Sequence, residues 1–443
     1  MTEETLAGPV EARPVPDDAA LTALRDWAPH QRWFPAKGTD ARLDRLAVAD
    51  LADPEGEAQV QVHLLALESG TVLQVPTVLR PSDDVAADAP GIIARLATGT
   101  LLDGPYDAAF VRAWLAVARH DGPAPERPGP HKVSGGEQSN TSVLLPGARP
   151  PAILKVFRAV TVGPNPDVAV PIALSRAGWE GVPRPLAWLA GRWPGTGGGG
   201  AAVGHLGVLS ELVQGAQDGF ELACDHARDG RGFADLAEDL GRTTARMHRA
   251  LRDALPGDES ASAEGGVAQV VTTLRERARD AVDRVPELAE RAEGIERAYD
   301  HLEGLSSVPP LQRVHGDYHL GQVLRSAEGH WYVLDFEGEP QASAQEKTRP
   351  DLALRDLAGM LRSLDYAAAV GGARDPGWVA DARRGLIEGY QHGNEGTSDD
   401  LNLDVLLPAL ELDKALYEVV YESGNRPDWV HIPLGGVDRL LAG

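Results

Sequence analysis

The sequence predicts an α+β fold in which a strand-rich front half precedes a mostly helical back half. At 443 residues the chain is too long for one core of ordinary size, so two or three packed units are expected. Alternating apolar and polar residues dominate before about Gly215, and helical periodicity dominates after it. Apolar residues make up 43% and charged residues 24%, the balance of a globular protein. Because clefts between domains commonly hold ligands, we expect the functional site where the two halves meet.

Charge and composition exclude several classes of protein. The net charge is -24, and no cluster of Lys and Arg could follow a phosphate backbone, so nucleic acid is excluded as a partner. The N-terminus lacks the basic start and apolar run of a signal peptide, and no segment reaches the roughly 18 apolar residues of a membrane helix. We therefore expect a cytoplasmic protein without a membrane partner. The single cysteine, Cys224, excludes an internal disulfide and a cysteine-built metal site.

The front half divides into two groups of strands separated by a Pro-rich segment, GPAPERPGP, at 122–130. Before it the periodicity predicts helices over 17–34 and 107–120 and strands over 43–51, 58–70 and 71–80. After it we expect strands over 132–145, 151–160 and 205–213, a helix over 169–177 and a Gly-rich surface loop over 194–202. The back half is interrupted by one further short strand over 331–338. We place the units at 1–121, 131–213 and 214–443.

The segments HGDYHLGQ (315–322) and LDFEGEP (334–340) carry the residue types that phosphoryl transfer requires. That reaction needs a carboxylate to orient the acceptor hydroxyl, oxygen ligands for Mg²⁺ and positive charge near the phosphates. Asp317 can be the carboxylate, and Gln322 and Asp335 can hold the metal. An oxygen-rich site suits Mg²⁺ and not zinc, so His319 is interpreted as a hydrogen-bonding residue.

These two segments resemble the catalytic and metal loops of the aminoglycoside phosphotransferase-like kinases. RPDLALRDLAGMLRSLDYAA (349–368) resembles the maltokinase branch in particular. The front unit resembles a shortened maltokinase cap and, together with Ala169 in place of Glu, is similar to the side branch of actinobacterial glucosamine kinases. The resemblance implies a bilobal protein-kinase-like fold: a maltokinase-type cap over 1–121, a nucleotide-binding region over 131–213 and a helical C-terminal lobe over 214–443. It implies ATP as co-substrate and Mg²⁺ as cofactor.

The same resemblance assigns roles to individual residues of the loops. Asp317 would be the catalytic base and would also contact the substrate, and Gln322 and Asp335 would be the magnesium ligands. Glu337 would be a further carboxylate near the metal. His315 would brace the loop through hydrogen bonds, a role shared with Asp356 of RDLAG, which lies outside the loop itself.

A glycine-containing segment, SGGEQSNTSVLL (134–145), is a candidate phosphate-binding hairpin. Two glycines let backbone N–H groups approach an anion, and the hydroxyls of Ser139 and Ser142 add donors. By itself the segment is equally well an ordinary hairpin turn. It resembles the phosphate-covering hairpin of maltokinase relatives, which favours nucleotide binding.

Lys155 lies on the predicted strand that follows this hairpin, on the same face as Ile153. An ammonium there would suit the α- and β-phosphates of a nucleotide. Relatives pair this lysine with a Glu two residues after an NPD motif, where this chain has Ala169. The alternatives are that Glu137 or Glu180 substitutes, or that Lys155 has no fixed anion. The strand GVLSELVQGA resembles the hinge that binds adenine, through backbone groups of Glu211 and Val213.

The C-terminal segment LDKALYEVVYESGNRPDWVHIPL (412–434) is the candidate acceptor site. Tyr417 and Tyr421 are four residues apart and should stack on one side of a helix. Glu418 and Trp429 offer a carboxylate for hydroxyl groups and an aromatic ring for the apolar face of a sugar. An amphipathic helix followed by a Trp packed in the core is the alternative. A carboxylate would favour an amino sugar, because it binds an ammonium more strongly than a hydroxyl.

The resemblance implies an ATP-dependent sugar kinase, with glucosamine 6-phosphate as the preferred product and maltose 1-phosphate as the alternative. A catalytically inactive, sugar-sensing kinase fold is an alternative of another class. A protein kinase is disfavoured because the HRD and DFG patterns are absent. The expected partners are a small sugar and ATP, and the expected state is a monomer or weak dimer.

Overall fold

A computed structural model of the chain describes residues 3–35, 42–123, 129–135, 139–195, 200–256, 266–338, 347, 349–395 and 402–442. Its contacts define two units. The first unit comprises Met1–Ser175 and Pro183–Gln214, and the second comprises Arg176–Val182 and Gly215–Gly443. The division into three parts expected from the sequence stays a prediction.

The first unit is built mostly of strands. The strands are β1 (Val10–Glu11), β2 (Leu43–Leu51), β3 (Gln59–Leu67), β4 (Val72–Arg80), β5 (Ile92–Leu96), β6 (Gly99–Asp103), β7 (Arg119–His120), β8 (Lys132–Val133), β9 (Thr141–Leu145), β10 (Ala152–Val156), β11 (Ala159–Val160), β12 (Pro185–Pro194) and β13 (Ala201–Glu211). The helices are α1 (Ala19–Trp27), α2 (Ala108–Val117) and α3 (Pro166–Arg176).

These strands form two sheets. One has the order β1-β12-β13-β10-β9-β8, with β7 paired to β12, and the other has the order β2-β3-β4-β6-β5, with β11 paired to β4. The pairings are antiparallel except for the parallel pair of β1 and β12. The two arms of the candidate phosphate-binding hairpin are β8 and β9, and β10 continues the same sheet next to them.

The boundaries of the elements follow from local chemistry. Strand β2 covers the residues predicted for it. Helix α1 begins after Asp18, whose carboxylate accepts the N–H of Leu21 at 2.9 Å. The α-helix ends at Trp27 instead of continuing to residue 34, and a short 3-10 helix follows over Ala28–His30. Pro29 has no N–H group to continue the α-helical hydrogen bonds. Strand β12 was not predicted, since nearly all its residues are buried and the alternation that indicates a strand is missing.

The two sheets of the first unit share one apolar core. Trp114 of α2 and Leu154 of β10 are 1% and 0% exposed and belong to the same cluster of buried side chains. Gln74 of β4 is buried beside this core, and its Nε2 donates to the carbonyl oxygens of Phe157 at 2.5 Å and Leu206 at 2.7 Å. These bonds satisfy both amide hydrogens and join a strand of one sheet to the backbone of the other.

The second unit is mostly helical. Its helices are α4 (Gly219–Asp229), α5 (Ala234–Ala254), α6 (Gly266–Arg284), α7 (Ala292–Asp300), α8 (Leu354–Gly371), α9 (Trp378–Gly393), α10 (Leu403–Asn425) and α11 (His431–Ala442). An antiparallel sheet has the order β14 (Gln217–Asp218), β15 (Val323–Arg325) and β16 (Trp331–Val333). Strand β16 is shorter than the predicted strand over 331–338.

Glycines allow α5 and α9 to pack backbone against backbone. A methyl group on Gly389 or Gly385 of α9 would lie 1.9 or 2.4 Å from a carbonyl oxygen of α5, and one on Gly241 of α5 would lie 2.2 Å from a carbonyl oxygen of α9. Only glycine permits such an approach. The contact brings the Tyr390 hydroxyl of α9 to 2.9 Å from Nδ1 of His248 on α5. The two helices are thereby held in one register.

Candidate active site

The loop that carries Asp317 is held by one buried carboxylate of α8, Asp356, which is 2% exposed. Its Oδ2 accepts the N–H of His315 at 2.8 Å and lies 2.9 Å from Nε2 of His248, and its Oδ1 accepts the N–H of Gly316 at 3.0 Å. The ring of His315 is itself 2.7 Å from the carbonyl oxygen of Leu334. The hydrogen bonds expected of His315 and Asp356 are present.

The charge of Asp356 is stabilised by these bonds. Burial alone would raise the pKa of the carboxyl, but the hydrogen bond from His248, the charges of His248 and His315 and the N–H of Gly316 lower it below the ordinary value of 3.8. Gly316 has a φ of 88°, a conformation that side-chain-bearing residues rarely adopt. The loop therefore turns at a glycine next to an ionised anchor, and Asp317 follows directly.

Two basic side chains face the carboxylate of Asp317. Lys414 Nζ of α10 lies 4.0 Å from Oδ1, and His319 Nε2 lies 3.9 Å from Oδ2. Partial burial lowers the pKa of His319, and the charge of Asp317 opposes that shift. His319 also accepts the N–H of Gly321 through Nδ1 at 3.1 Å, which supports the predicted hydrogen-bonding role. The Asp317 side chain is 21% exposed, which leaves part of it accessible to a ligand.

The two predicted metal ligands lie at the open end of one hairpin. Val323 of β15 pairs with Val333 of β16, so the residues just outside these strands lie opposite each other. The N–H of Leu334 donates to the carbonyl oxygen of Gln322 at 2.8 Å, and Gln322 Nε2 lies 3.5 Å from Asp335 Oδ2. Asp335 has a φ of 58°, the left-handed region in which Asp is one of the few tolerated residues.

These side chains fit a magnesium ion by the chemistry of their donor atoms. Gln322 offers an amide oxygen and Asp335 a carboxylate, and Glu337 follows two residues later and is partly buried. Mg²⁺ prefers a small number of such oxygen ligands and completes its shell with water and phosphate oxygens.

Lys155 has a fixed anion that was not among the alternatives considered from the sequence. Its ammonium forms an ion pair with Asp167 in the first turn of α3. Asp167 is positioned by Asn165, whose Oδ1 accepts the Asp167 N–H at 2.8 Å. The alternative that Lys155 has no fixed anion is wrong, because it pairs with Asp167. Glu180, another of the alternatives, is exposed. Glu137 lies outside the described residues.

The remaining nucleotide candidates occupy different environments. Ser142 of β9 is 6% exposed and pairs with Lys155 of β10, whereas Ser139 is exposed in the loop before β9. Gly136 to Gln138, between them and β8, lie outside the described residues. In the strand predicted to bind adenine, the N–H of Glu211 donates to the carbonyl oxygen of Arg184 at 2.9 Å. This N–H group therefore already has a hydrogen-bond partner. Val213 follows the end of β13 and is partly buried.

The acceptor candidates of the C-terminal segment are tied to buried partners. Arg362 of α8 is fully buried, and its Nε donates to Glu418 Oε2 at 2.8 Å. Burial raises the pKa of Glu418, and the charge of Arg362 opposes that shift. Trp429 is partly buried, with the Arg426 guanidinium 4.6 Å from its ring centre and the Tyr366 ring at 6.2 Å. The hydroxyl of Tyr366 donates to Glu422 Oε1 at 3.1 Å.

The tyrosine pair predicted on α10 is confirmed. The rings of Tyr417 and Tyr421 are 6.5 Å apart and inclined by 19°, and the two residues are 36% and 38% exposed. Lys414 Nζ lies 4.9 Å from the centre of the Tyr417 ring, and the Arg426 guanidinium lies 5.7 Å from that of Tyr421. Cations therefore flank both ends of an exposed aromatic pair.

Two segments of the chain match models of known protein families. Residues 27–107 match the maltokinase N-terminal cap domain, and residues 225–396 match the phosphotransferase enzyme family. Residues 225–396, which lie in the second unit, are therefore similar to this phosphotransferase family. The chain's predicted kinase-like α+β fold, with a maltokinase-type cap and a helical C-terminal lobe, is confirmed by these matches and by the solved structures it resembles. Asp317, Gln322 and Asp335 all lie within the second of these matches, 225–396.

Two proteins similar in sequence to this chain are glucosamine kinases. One from Streptacidiphilus jiangxiensis is 34% identical over 290 residues, covering 61% of this chain and 64% of the relative. One from Mycolicibacterium smegmatis is 29% identical over 320 residues, covering 69% of this chain and 78% of the relative. The chain thus aligns with slightly less than two thirds of the first relative.

Solved glucosamine kinase structures resemble the whole chain. A glucosamine kinase in complex with glucosamine, ADP and inorganic phosphate is 26% identical, with a TM-score of 0.64, and covers 97% of this chain and 100% of that one. A second crystal form has the same identity and a TM-score of 0.67. None of the described helices of the present chain is long and apolar enough to cross a bilayer.

Sequence reasoning missed three side chains that contact the predicted site residues. Asp167 could have been found from the NPD motif itself, because it lies one helical turn or less from the position where relatives have Glu. Lys414 lies four residues before Glu418, on a segment already considered for the acceptor. Arg362 carries no signal in the sequence, because nothing near it in the chain shows that this arginine is buried.

Proposed function

We propose that this protein is an ATP- and Mg²⁺-dependent sugar kinase of the cytoplasm that phosphorylates the 6-hydroxyl of D-glucosamine. The observation that carries the proposal is the arrangement within the second unit: Asp317 on an anchored loop, and Gln322 and Asp335 at 3.5 Å from each other at the end of a hairpin. The glucosamine kinases among the relatives support the choice of acceptor.

Asp317 is the proposed catalytic base. Its carboxylate accepts a hydrogen bond from the acceptor hydroxyl and aligns the oxygen for in-line attack on the γ-phosphorus of ATP. The bond between that oxygen and phosphorus forms as the bond from phosphorus to the bridging oxygen of ADP breaks, and the hydroxyl proton passes to Asp317. The Asp356 anchor holds this loop in place for the reaction.

Gln322 and Asp335 are the proposed magnesium ligands, with Glu337 as a further carboxylate near them. A bound Mg²⁺ neutralises charge on the β- and γ-phosphate oxygens. For Gln322 to present its oxygen, the side-chain amide turns over from the orientation in which Nε2 faces Asp335; the two orientations are nearly equivalent in shape.

Lys155 is the proposed ligand of the α- and β-phosphates. The ion pair with Asp167 fixes its ammonium and orders its side chain before the nucleotide binds, which lowers the entropy cost of binding. Ser139 and Ser142 would add hydroxyl donors to the phosphates. Backbone groups of Glu211 and Val213 would bind the adenine.

Glu418 and Trp429 are the proposed acceptor residues. Arg362 binds Oε2 of Glu418, so Oε1 is the oxygen offered to a sugar. A carboxylate has several acceptor sites and can bind an arginine and a substrate ammonium together. An amino sugar would therefore be preferred over its neutral counterpart.

The deciding experiment measures ADP formation by the purified protein with ATP and Mg²⁺ and one of four acceptors: glucosamine, glucose, maltose or an aminoglycoside. We expect turnover with glucosamine, and phosphorus NMR of the product should identify the 6-phosphate. Asp317→Asn is the control for contaminating kinases and should lower turnover by about 10² to 10⁴. Maltose is the second candidate, because of the match to the maltokinase cap domain. Turnover with maltose alone would show that the protein is a maltokinase and not a glucosamine kinase. No turnover with any acceptor, together with sugar binding by calorimetry, would favour the inactive sugar-sensing alternative.

A further inference from the structure

Lys414 of α10 occupies a position beside the proposed base that no role yet explains. Its Nζ lies 4.0 Å from Oδ1 of Asp317, and the two side chains are 25% and 21% exposed. The ammonium also lies 4.9 Å from the centre of the Tyr417 ring, one turn further along the helix. Water is thus displaced from part of the surroundings of this ion pair, which strengthens the attraction between its charges.

The neighbouring residue fixes where Lys414 is placed. Asp413 is largely buried, with a side chain 7% exposed, and binds Arg355 at 2.6 Å and Arg277 at 3.1 Å. These ion pairs attach α10 to two other helical segments of the same unit. The backbone of Lys414 is therefore anchored next to a residue that cannot shift without breaking buried bonds.

Among the described residues, Lys414 is the cation paired with Oδ1 of Asp317. His319 approaches the other oxygen, Oδ2, at 3.9 Å, but partial burial lowers the pKa of its ring and favours the neutral form near neutral pH. Glu418, four residues after Lys414, is the acid that faces the ammonium from its own helix. The two oxygens of Asp317 therefore lie in different environments: Oδ1 faces a cation and Oδ2 a neutral ring.

We propose that Lys414 is a positioning residue for phosphoryl transfer, whose ammonium holds Oδ1 of Asp317 so that Oδ2 receives the acceptor hydroxyl. The proposal rests on the kinase function proposed above. The terminal torsion of an Asp side chain is broad and nearly two-fold, so a carboxylate without a fixed partner samples many orientations. A cation on one oxygen selects one of them. Lys414 takes no part in the proton transfer. The acceptor proton goes to Oδ2 as the new O–P bond forms and the bond from phosphorus to the bridging oxygen of ADP breaks.

The test compares Lys414→Gln and Lys414→Arg with the wild type. Loss of orientation should lower kcat by about 10- to 100-fold in Lys414→Gln, a range typical of a misplaced catalytic group. The KM for ATP should change by less than about 3-fold, because the proposed nucleotide contacts lie elsewhere. Lys414→Arg keeps the charge and should recover kcat to within about 5-fold of the wild type. Arg384→Gln, which breaks an exposed ion pair with Asp381 on α9, is the matched control and should leave kcat unchanged.

A double-mutant cycle separates positioning from a general structural effect. In an Asp317→Asn background, Lys414→Gln should lower the residual turnover by less than about 3-fold, because the group it orients is already gone. An equal loss in both backgrounds would overturn the proposal, and so would wild-type kcat in Lys414→Gln. Thermal unfolding of each variant checks that the fold is kept. If the wild type is active only on another acceptor, the cycle is run with that acceptor; if it is active on none, the kinase function and this role fail together.

Discussion

Replacing Asp356 by Asn should disorder the loop that carries Asp317, the proposed base, with almost no change in the size of the side chain. The carboxylate accepts the N–H groups of His315 and Gly316 on separate oxygens and also binds His248. An Asn has one oxygen, so its NH₂ group must face a donor in at least one of these places. Breaking a buried, hydrogen-bonded charge in this way costs about 3–5 kcal/mol. We expect a decrease in Tm of roughly 10 °C and, because the loop loses an anchor, a decrease in kcat of about 10- to 100-fold.

Urea unfolding at several pH values measures this effect and its sign. The pKa of Asp356 is lowered in the folded state, so its contribution to stability is fully present above the ordinary value of 3.8 and is lost as the pH falls through the folded pKa. The difference between wild type and variant should therefore be constant from pH 5 to 8 and shrink below about pH 4. Asp381→Asn, in an exposed ion pair of the same unit, is the control and should cost less than about 1 kcal/mol. An Asp356→Asn variant within about 1 kcal/mol of wild type at pH 7, with full turnover, would refute the reasoning.

Three further predictions follow from buried or paired side chains. Burial holds the pKa of His63 at about 3, so the free energy of unfolding should fall by about 1.4 kcal/mol per pH unit below about pH 6.5 on its account. His63→Leu should flatten that slope in urea titrations between pH 6 and 4, and an unchanged slope would contradict the assignment. Lys155→Met should raise the KM for ATP at least about 10-fold with little effect on the sugar KM, and Asp167→Asn should do the same more weakly; equal changes in both KM values would argue against a phosphate-binding role. Trp429→Ala should raise the KM for the sugar and not that for ATP in initial-rate measurements, and an unchanged sugar KM would leave Trp429 with only its packing role.

The parts of the site that the sequence predicts are those carried by short segments. Gln322 and Asp335 flank two strands that are adjacent in the chain, so the hairpin brings them together by local pairing alone. Tyr417 and Tyr421 stack because a helix places residues four apart on one side. Strand β2 was predicted with its observed bounds because polar residues, Asp44, Arg45 and Asp50, interrupt its apolar residues near both ends.

The parts that the sequence does not predict depend on contacts between distant segments. Lys155 finds its anion twelve residues away on a helix, and the choice of Asp167 over a glutamate depends on how α3 packs in the first unit. Arg362 reaches Glu418 across 56 residues, and no local pattern distinguishes it from a surface arginine. Strand β12 is buried along most of its length, so the polar residues that would mark its exposed face are missing.

The close packing of α5 against α9 depends on glycines, whose side chains are single hydrogen atoms. The position of the loop that carries Asp317 depends on this packing through His248. His248 lies on α5 and touches both Tyr390 of α9 and the carboxylate that carries the loop. Adding a single carbon at Gly389 would force the helices apart at a point that touches no substrate. We expect Gly389→Ala to lower the turnover rate, because a shift of α9 would displace His248. His248 contacts Asp356, which holds the loop that carries the proposed base.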